Sequence, residues 1–211
     1  MGIFEDLKKF DGSYDEIIAG VDEAGRGPWA GPVVAAAVIL DKSRIASLSS
    51  INDSKKIPEK KREMLFDVVR EACTAYSITE MSHAVIDRTD ILSATMQAMA
   101  AAVRGLKAPP QIVLVDGNRT PPIEGLKIET VTGGDAKSLS IAAASILAKV
   151  HRDRLMRNYG AMYPEYGFEY HKGYGTAEHI RALDEHGACP IHRVSYKPVE
   201  DVIRKRTKGI L

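Results

Sequence analysis

The chain has 211 residues, 45% apolar and 27% charged, which suits one large domain or one domain with a small appendage and excludes global disorder. No apolar run approaches the roughly 18 residues of a membrane span, so no membrane partner is expected. The formal net charge is only +1, so a nucleic-acid partner has to be argued from local patches and not from overall charge.

The N-terminus, Met1-Gly2-Ile3-Phe4-Glu5-Asp6, places acids early, lacks the apolar stretch of a signal peptide, and has Asp6 where a myristoylation site wants Ser or Thr. Cys73 and Cys189 have neither zinc spacing nor redox-pair spacing, and read as two reduced thiols of a cytoplasmic protein. Ile17 to Val21 reads as a strand, Gly25 to Pro32 as turn material, and Val33 to Leu40 as a buried strand antiparallel to the first. Pro58 fits the first turn of a helix running to about Cys73. Ala75 to Met81 alternates as a third strand, and Ile91 to Leu106 is a helix whose Met96 and Met99 belong to the core. Ile112 to Val115 is a short apolar strand ending at Asp116-Gly117-Asn118, and Leu126 to Val131 is a further strand closed by Gly133-Gly134. A long helix is expected from about Ser138 to Tyr159. Its small face, Ala142-Ala143-Ala144-Ser145, allows close approach to a sheet, and Lys149, Arg152, Arg154 and Arg157 suit the negative end of its dipole. Thr176 is the expected N-cap of a helix reaching His186, and Val199 to Arg206 is a last short one. This order of elements implies an α/β layered fold with a mixed sheet.

Three apolar segments deliver acids to their ends or the loops just after: Asp22 and Glu23, Asp116, and Asp135. Carboxylates gathered at strand ends hold Mg²⁺ or Mn²⁺ through hard oxygen ligands. A lone Asp after a strand is ordinarily a turn former or helix cap, and it is the recurrence beside glycines that points to chemistry. Asp135 sits just ahead of the long helix, where backbone N–H groups can also meet a phosphate. Asp22 and Glu23 are neighbours, and neighbours on a regular strand face opposite ways, so their convergence requires a bend or a position in the loop. The loop that follows, Gly25-Arg26-Gly27-Pro28, offers close backbone approach and a guanidinium to a phosphodiester.

Other signals are weaker. The run from Gly25 to Gly31 has one residue too many for a dinucleotide fingerprint and leads into a strand. In Gly134-Asp135-Ala136-Lys137-Ser138 the lysine does not follow glycine directly, which argues against an ATP-binding loop. His179 and His186 are seven apart and read as surface residues rather than ligands. Basic patches lie at Lys55, Lys56, Lys60, Lys61 and Arg62, and at Arg204, Lys205, Arg206 and Lys208; either can be a solvated face. Tyr174, held between Gly173 and Gly175 beside His171 and Lys172, can present its ring to a sugar or base, or can pack at a domain edge.

Taken in order, Gly20 to Pro28, Asp53-Ser54-Lys55-Lys56, Val115-Asp116-Gly117-Asn118, Gly134 to Ser138, Ile141 to Val150 with Arg152-Asp153, and Lys172 to Thr176 resemble ribonuclease HII, the type 2 ribonuclease H of bacteria. The resemblance implies a ribonuclease H-like mixed sheet flanked by helices, with a catalytic domain over 1–165 and a small C-terminal helical appendage over 166–211 that supplies a substrate-contacting tyrosine. It implies an endonuclease that cuts the RNA strand of RNA–DNA hybrids and nicks 5′ of single ribonucleotides in duplex DNA, leaving 3′-hydroxyl and 5′-phosphate ends. Asp22, Glu23, Asp116 and Asp135 resemble the four metal-binding acids. Gly25, Arg26 and Gly27 resemble the loop that senses the 2′-hydroxyl and grips the adjacent phosphate, and Tyr174 the ring that packs on the sugar at the RNA-to-DNA step. Ser54, Lys55, Lys56, Asn118, Lys137 and Ser138 fall in the matching motifs as further substrate-binding residues. Asp153 is a rival fourth acid by spacing, but lies between Arg152 and Arg154 in a helix and reads as a salt-bridge partner. Val194 and Tyr196 depart mildly from the family's tail.

The implied chemistry is two-metal hydrolysis with Mg²⁺ or Mn²⁺, weak base preference, and a role in ribonucleotide excision repair. A monomer is implied, with a replication clamp as a candidate partner of the tail. The rivals are another ribonuclease H-fold nuclease acting on DNA, such as a resolvase or integrase, a non-catalytic binder of hybrids, and a metal-dependent hydrolase of small phosphates.

Overall fold

The computed structural model describes residues 2–51 and 57–209. In chain order the elements are α1 (Ile3–Asp11), β1 (Ile18–Ala24), β2 (Val33–Leu40), α2 (Glu59–Glu71), β3 (Cys73–Met81), α3 (His83–Arg88), α4 (Ile91–Arg104), β4 (Ile112–Asp116), β5 (Lys127–Val131), α5 (Leu139–Met162), α6 (Phe168–His171), α7 (Ala177–His186) and α8 (Lys197–Thr207). Short 3-10 turns lie at Ile45–Leu48, Gly134–Ala136 and Pro164–Tyr166. No helix among the described residues is long and apolar enough to cross a membrane.

By its contacts the chain divides into two units, neither continuous in sequence. The first comprises the described residues of 1–24, 34–80 and 95–151, and the second those of 25–33, 81–94 and 152–209.

The first unit is built on a five-stranded sheet in the order β3-β2-β1-β4-β5. β1 and β2 are antiparallel, with Gly20 opposite Val38 and Ala24 opposite Val34, whereas β4 runs parallel to both β1 and β5. The sheet is therefore mixed, as the sequence implies. Val33 to Ile39 and Ile112 to Val115 are buried without alternation, the pattern of strands covered on both faces. A Cβ on Gly20 would lie 2.2 Å from the Ser140 carbonyl carbon, so only glycine lets the start of α5 approach β1 this closely. Ala142, Ala143, Ala144 and Ser145 are all buried there.

Several elements depart from the sequence reading. β1 runs on through Ala24, so Asp22 and Glu23 both lie within a regular ladder, opposite Ala36 and Ala35. α1 carries one buried apolar residue, Leu7, in a charged stretch, too little periodic signal to be read in advance. It is fastened at its end, where Asp11 accepts bonds from the Ser138 hydroxyl at 2.6 Å and the Ser140 N–H at 2.8 Å. α5 continues to Met162, so its last turn holds none of the four basic residues expected to face the dipole, and Arg152 is buried.

The second unit packs Ala30, Met156, Tyr166, Phe168, Ala182 and Ile191 into one cluster, and Leu183, Val199 and Val202 with Trp29 and Tyr196 into another. Thr176 caps α7 as expected, accepting the His179 N–H at 3.3 Å. His179 is not the surface residue its spacing suggests. It is fully buried, because its ring faces Phe168 and both of its nitrogens are hydrogen-bonded. His186 is exposed.

Candidate metal centre and nucleic-acid interface

In the first unit, parallel pairing sets Val21 opposite Val115, so the next residues along β1 and β4 are Asp22 and Asp116. Asp22, Glu23 and Asp116 each offer a carboxylate oxygen, and these oxygens lie within 4.8 Å of one another, a grouping able to hold a metal ion. Convergence needs no break in the strand. The Asp22 carboxylate turns back along β1, its Oδ1 accepting the Glu23 N–H at 2.7 Å. Like charges at such a separation repel by roughly 3–4 kcal/mol at an effective dielectric of about 20. Asp22 feels this directly. Burial, then the charges of Glu23 and Asp116, push its carboxyl well above the usual range, against the opposing pull of the Ser145 hydroxyl and the Glu23 amide.

Asp135 lies on the turn Gly134–Ala136 and is buried. The three-acid grouping does not include its carboxylate, but its turn is tied to the group: the Gly134 N–H donates to Asp116 Oδ1 at 2.6 Å. A Cβ on Gly134 would stand 2.6 Å from Ile141 Cδ1, which explains glycine at that point. Lys137 is exposed and its Nζ donates to the Thr132 carbonyl at 2.8 Å. Asn118 is exposed, whereas Ser138 is buried with its hydroxyl engaged by Asp11. Ser54, Lys55 and Lys56 lie outside the described residues. Arg62, read as part of that basic patch, is buried and donates to the Ile57 carbonyl.

In the second unit the Gly25-Arg26-Gly27 loop is held from beneath by two buried arginines. Arg193 donates to the carbonyls of Gly25 at 2.6 Å, Arg26 at 2.9 Å and Gly31 at 3.0 Å. Arg152 donates to those of Pro32 at 3.0 Å, Lys172 at 3.1 Å and Ala30 at 3.2 Å. The Tyr196 hydroxyl adds a bond to the Arg26 carbonyl at 2.7 Å. A trans peptide sets its N–H opposite its C=O, and no peptide among the described residues is cis. With the Gly25 and Arg26 carbonyls turned toward Arg193, the N–H groups of Arg26 and Gly27 point the other way. Gly25 has a φ of +97°, and a Cβ on it would lie 2.0 Å from Arg152 Nε. Burial and the charge of Arg193 push Arg152 down to about 10, still cationic at neutral pH. Asp153, buried beside it in the chain, favours that charge and is not part of the acid grouping.

Tyr174 is 46% exposed, and a Cβ on Gly27 would touch its Cε1 at 3.4 Å, so the loop and the ring are neighbours. Burial pushes the thiols of Cys73 and Cys189 up to about 12 and 11, leaving both protonated and chemically quiet. The sequence does not single out Arg193 or Tyr196 as loop partners, and it marks Arg152 only as a motif and helix residue, because a guanidinium that meets distant backbone carbonyls leaves no periodic signal.

The ribonuclease HII family profile matches residues 19–199 of this chain. The chain is 54% identical over 195 residues to the ribonuclease HII of Endomicrobium trichonymphae, covering 92% of this chain and 91% of that one. The crystal structure of the ribonuclease H2 from Pyrococcus horikoshii OT3 matches with a TM-score of 0.76 and 27% identity, covering 90% of this chain and 99% of that one. Bst-RNase HIII, solved in complex with Mn²⁺, shares the fold, with a TM-score of 0.75 at 16% identity over 98% of this chain and 73% of its own. The chain belongs to the ribonuclease HII family, an enzyme class of ribonuclease H endonucleases.

Proposed function

We propose that the enzyme hydrolyses the RNA strand of RNA–DNA hybrids and also nicks duplex DNA on the 5′ side of a single ribonucleotide, leaving 3′-hydroxyl and 5′-phosphate ends. The observation that carries this reading is the grouping of Asp22, Glu23 and Asp116 within 4.8 Å at the ends of two paired strands. An all-oxygen donor set of crowded carboxylates, one buried and resisting ionisation, fits Mg²⁺ or Mn²⁺, and the Mn²⁺ complex of Bst-RNase HIII agrees with that choice. Asp22, Glu23 and Asp116 would hold the ions, with Asp135 as the fourth acid on the turn bound to Asp116. A pair of such ions would supply an activated water and stabilise the departing 3′ oxygen. The carboxylates would balance the ions' charge, with the Gly134 N–H keeping Asp116 oriented.

Selectivity for ribose belongs to the second unit. The outward N–H groups of Arg26 and Gly27 suit a phosphate or 2′-hydroxyl oxygen, and the half-exposed Tyr174 ring beside Gly27 suits the sugar face. Asn118, Lys137, Ser54, Lys55 and Lys56 are assigned to backbone positioning without base readout, while the Ser138 N–H, donating to the Gly134 carbonyl at 2.8 Å, steadies the Asp135 turn. Duplexes with no, one or four consecutive ribonucleotides, incubated with Mg²⁺, test the reading. Cleavage of the last two alone is expected. Cleavage of the all-DNA duplex would favour a DNA resolvase-like nuclease, and cleavage of the four-ribonucleotide duplex alone would remove single-ribonucleotide nicking.

A further inference from the structure

Each backbone polar group of Gly173 and Tyr174 is engaged, while the Tyr174 residue stays half exposed. The Gly173 N–H donates to His171 Nδ1 at 3.1 Å, and the Gly173 carbonyl accepts the Trp29 N–H at 2.8 Å. The Tyr174 N–H donates to the His171 carbonyl at 2.9 Å, and the Tyr174 carbonyl accepts the Thr176 N–H at 2.8 Å. That same carbonyl lies 3.0 Å from His179 Nδ1.

The hydrogen-bond pattern fixes the tautomers. A carbonyl oxygen only accepts, so His179 carries its proton on Nδ1 and presents a lone pair on Nε2. This lone pair faces His192 Nε2 at 2.9 Å, so His192 donates from Nε2. His192 Nδ1 is then an acceptor, and the Cys189 N–H points to it at 2.9 Å. The contact of the same nitrogen with the Cys189 carbonyl is longer, 3.3 Å. His171 stacks on His179 with ring centroids 4.6 Å apart and follows the same rule: Nδ1 accepts from Gly173, and Nε2 donates to the Tyr166 carbonyl at 2.6 Å. Burial holds His179 down to about 4 and His192 to about 3, which keeps both neutral near pH 7.

We infer that His179 and His192 are positioning residues for Tyr174. Joined through their Nε2 atoms in opposite neutral tautomers, they carry a constraint from the turn at Cys189 to the Tyr174 carbonyl and fix the ring beside Gly27. The inference rests on the reading of Tyr174 as a sugar contact, and its test separates the two. Side-chain ¹⁵N NMR of the full protein near pH 7 should find His179 protonated on Nδ1 and His192 on Nε2. The same tautomer in both, or an imidazolium in either, would overturn the relay without any variant having to fold. In kinetics on a duplex with one ribonucleotide, H192F keeps the ring volume but loses both bonds. It should raise KM about tenfold, the worth of one to two hydrogen bonds, with kcat within about twofold. H192Q restores an Nε2 donor and should recover most of the loss. In a Y174A background H192F should add nothing. If Y174A raises KM and H192F does not, the inference is wrong. If Y174A itself leaves KM unchanged, the sugar-contact reading falls, and the positioning role with it.

Discussion

In the first unit three carboxylates crowd within 4.8 Å around a buried aspartate whose ionisation its neighbours resist. In the second, two buried guanidiniums are met by carbonyls of the loop, so their donors are used and the backbone is fixed. One region stores repulsion that a cation relieves, and the other is completed by the protein itself. On the proposed reading, catalysis and substrate discrimination rest on opposite electrostatics, and each should respond differently to ions, acid and mutation.

The largest effect is expected from D116N. The amide keeps an acceptor for the Gly134 N–H but removes one charge from the grouping. Cleavage of a hybrid should fall by about 10³-fold or more, with duplex affinity retained, as for loss of a group that stabilises transition-state charge. Without divalent ions the variant should melt no lower than the parent. At about tenfold excess over Kd, Mg²⁺ should raise the parent's Tm by roughly 3–6 °C and leave the variant's unchanged. A parent indifferent to Mg²⁺ would erase the contrast between the regions.

Next comes R193M, which strands the carbonyls of Gly25 and Gly31 and leaves that of Arg26 only its bond from the Tyr196 hydroxyl. Denaturant unfolding should show a loss of about 3–5 kcal/mol, because unsatisfied buried acceptors cost about 1–3 kcal/mol each and relax only in part. Mg²⁺-dependent stabilisation should survive, since the first unit's acids are untouched.

Acid sharpens the comparison further. His179 and His192 have folded pKa values held below the unfolded value, so the unfolded chain takes up protons first. The stability they contribute is fully present above about pH 6.5 and is lost progressively as pH falls toward their folded values of about 4 and 3. For His179 alone the loss amounts to roughly 3 kcal/mol. Thermal melts from pH 7 to 4 should show this decline, and H192F should flatten it. The smallest effect is expected from G27A, whose new methyl meets Tyr174 Cε1 at 3.4 Å in ordinary contact. Stability should change by less than about 1 kcal/mol, while KM for a single-ribonucleotide duplex rises about threefold as the methyl occupies space beside the ring.

Much of the first unit is legible in the sequence. Apolar runs such as Val33 to Leu40 and Ile112 to Val115 can only be buried strands, and acids that follow such runs fall at sheet ends. The side-chain turn that lets Asp22 and Glu23 share a site from a regular ladder is not legible, because strand alternation says only that neighbours diverge. The second unit is harder to read. Arg152, Arg193 and His179 are polar by any hydropathy scale and belong outside, and only tertiary contacts decide that a guanidinium will spend its donors on distant carbonyls. His179 even sits at a plausible surface position in its helix, and its burial follows from rings contributed by Phe168 and His192.

Gly25 and Arg193 lie 168 residues apart in the chain. At a synthesis rate of about 5–20 residues per second, the glycine leaves the ribosome on the order of ten to thirty seconds before its arginine exists. The nascent chain can therefore assemble its acid grouping well before the Gly25 loop is fastened, so on the proposed reading discrimination is the last property the newborn polypeptide acquires.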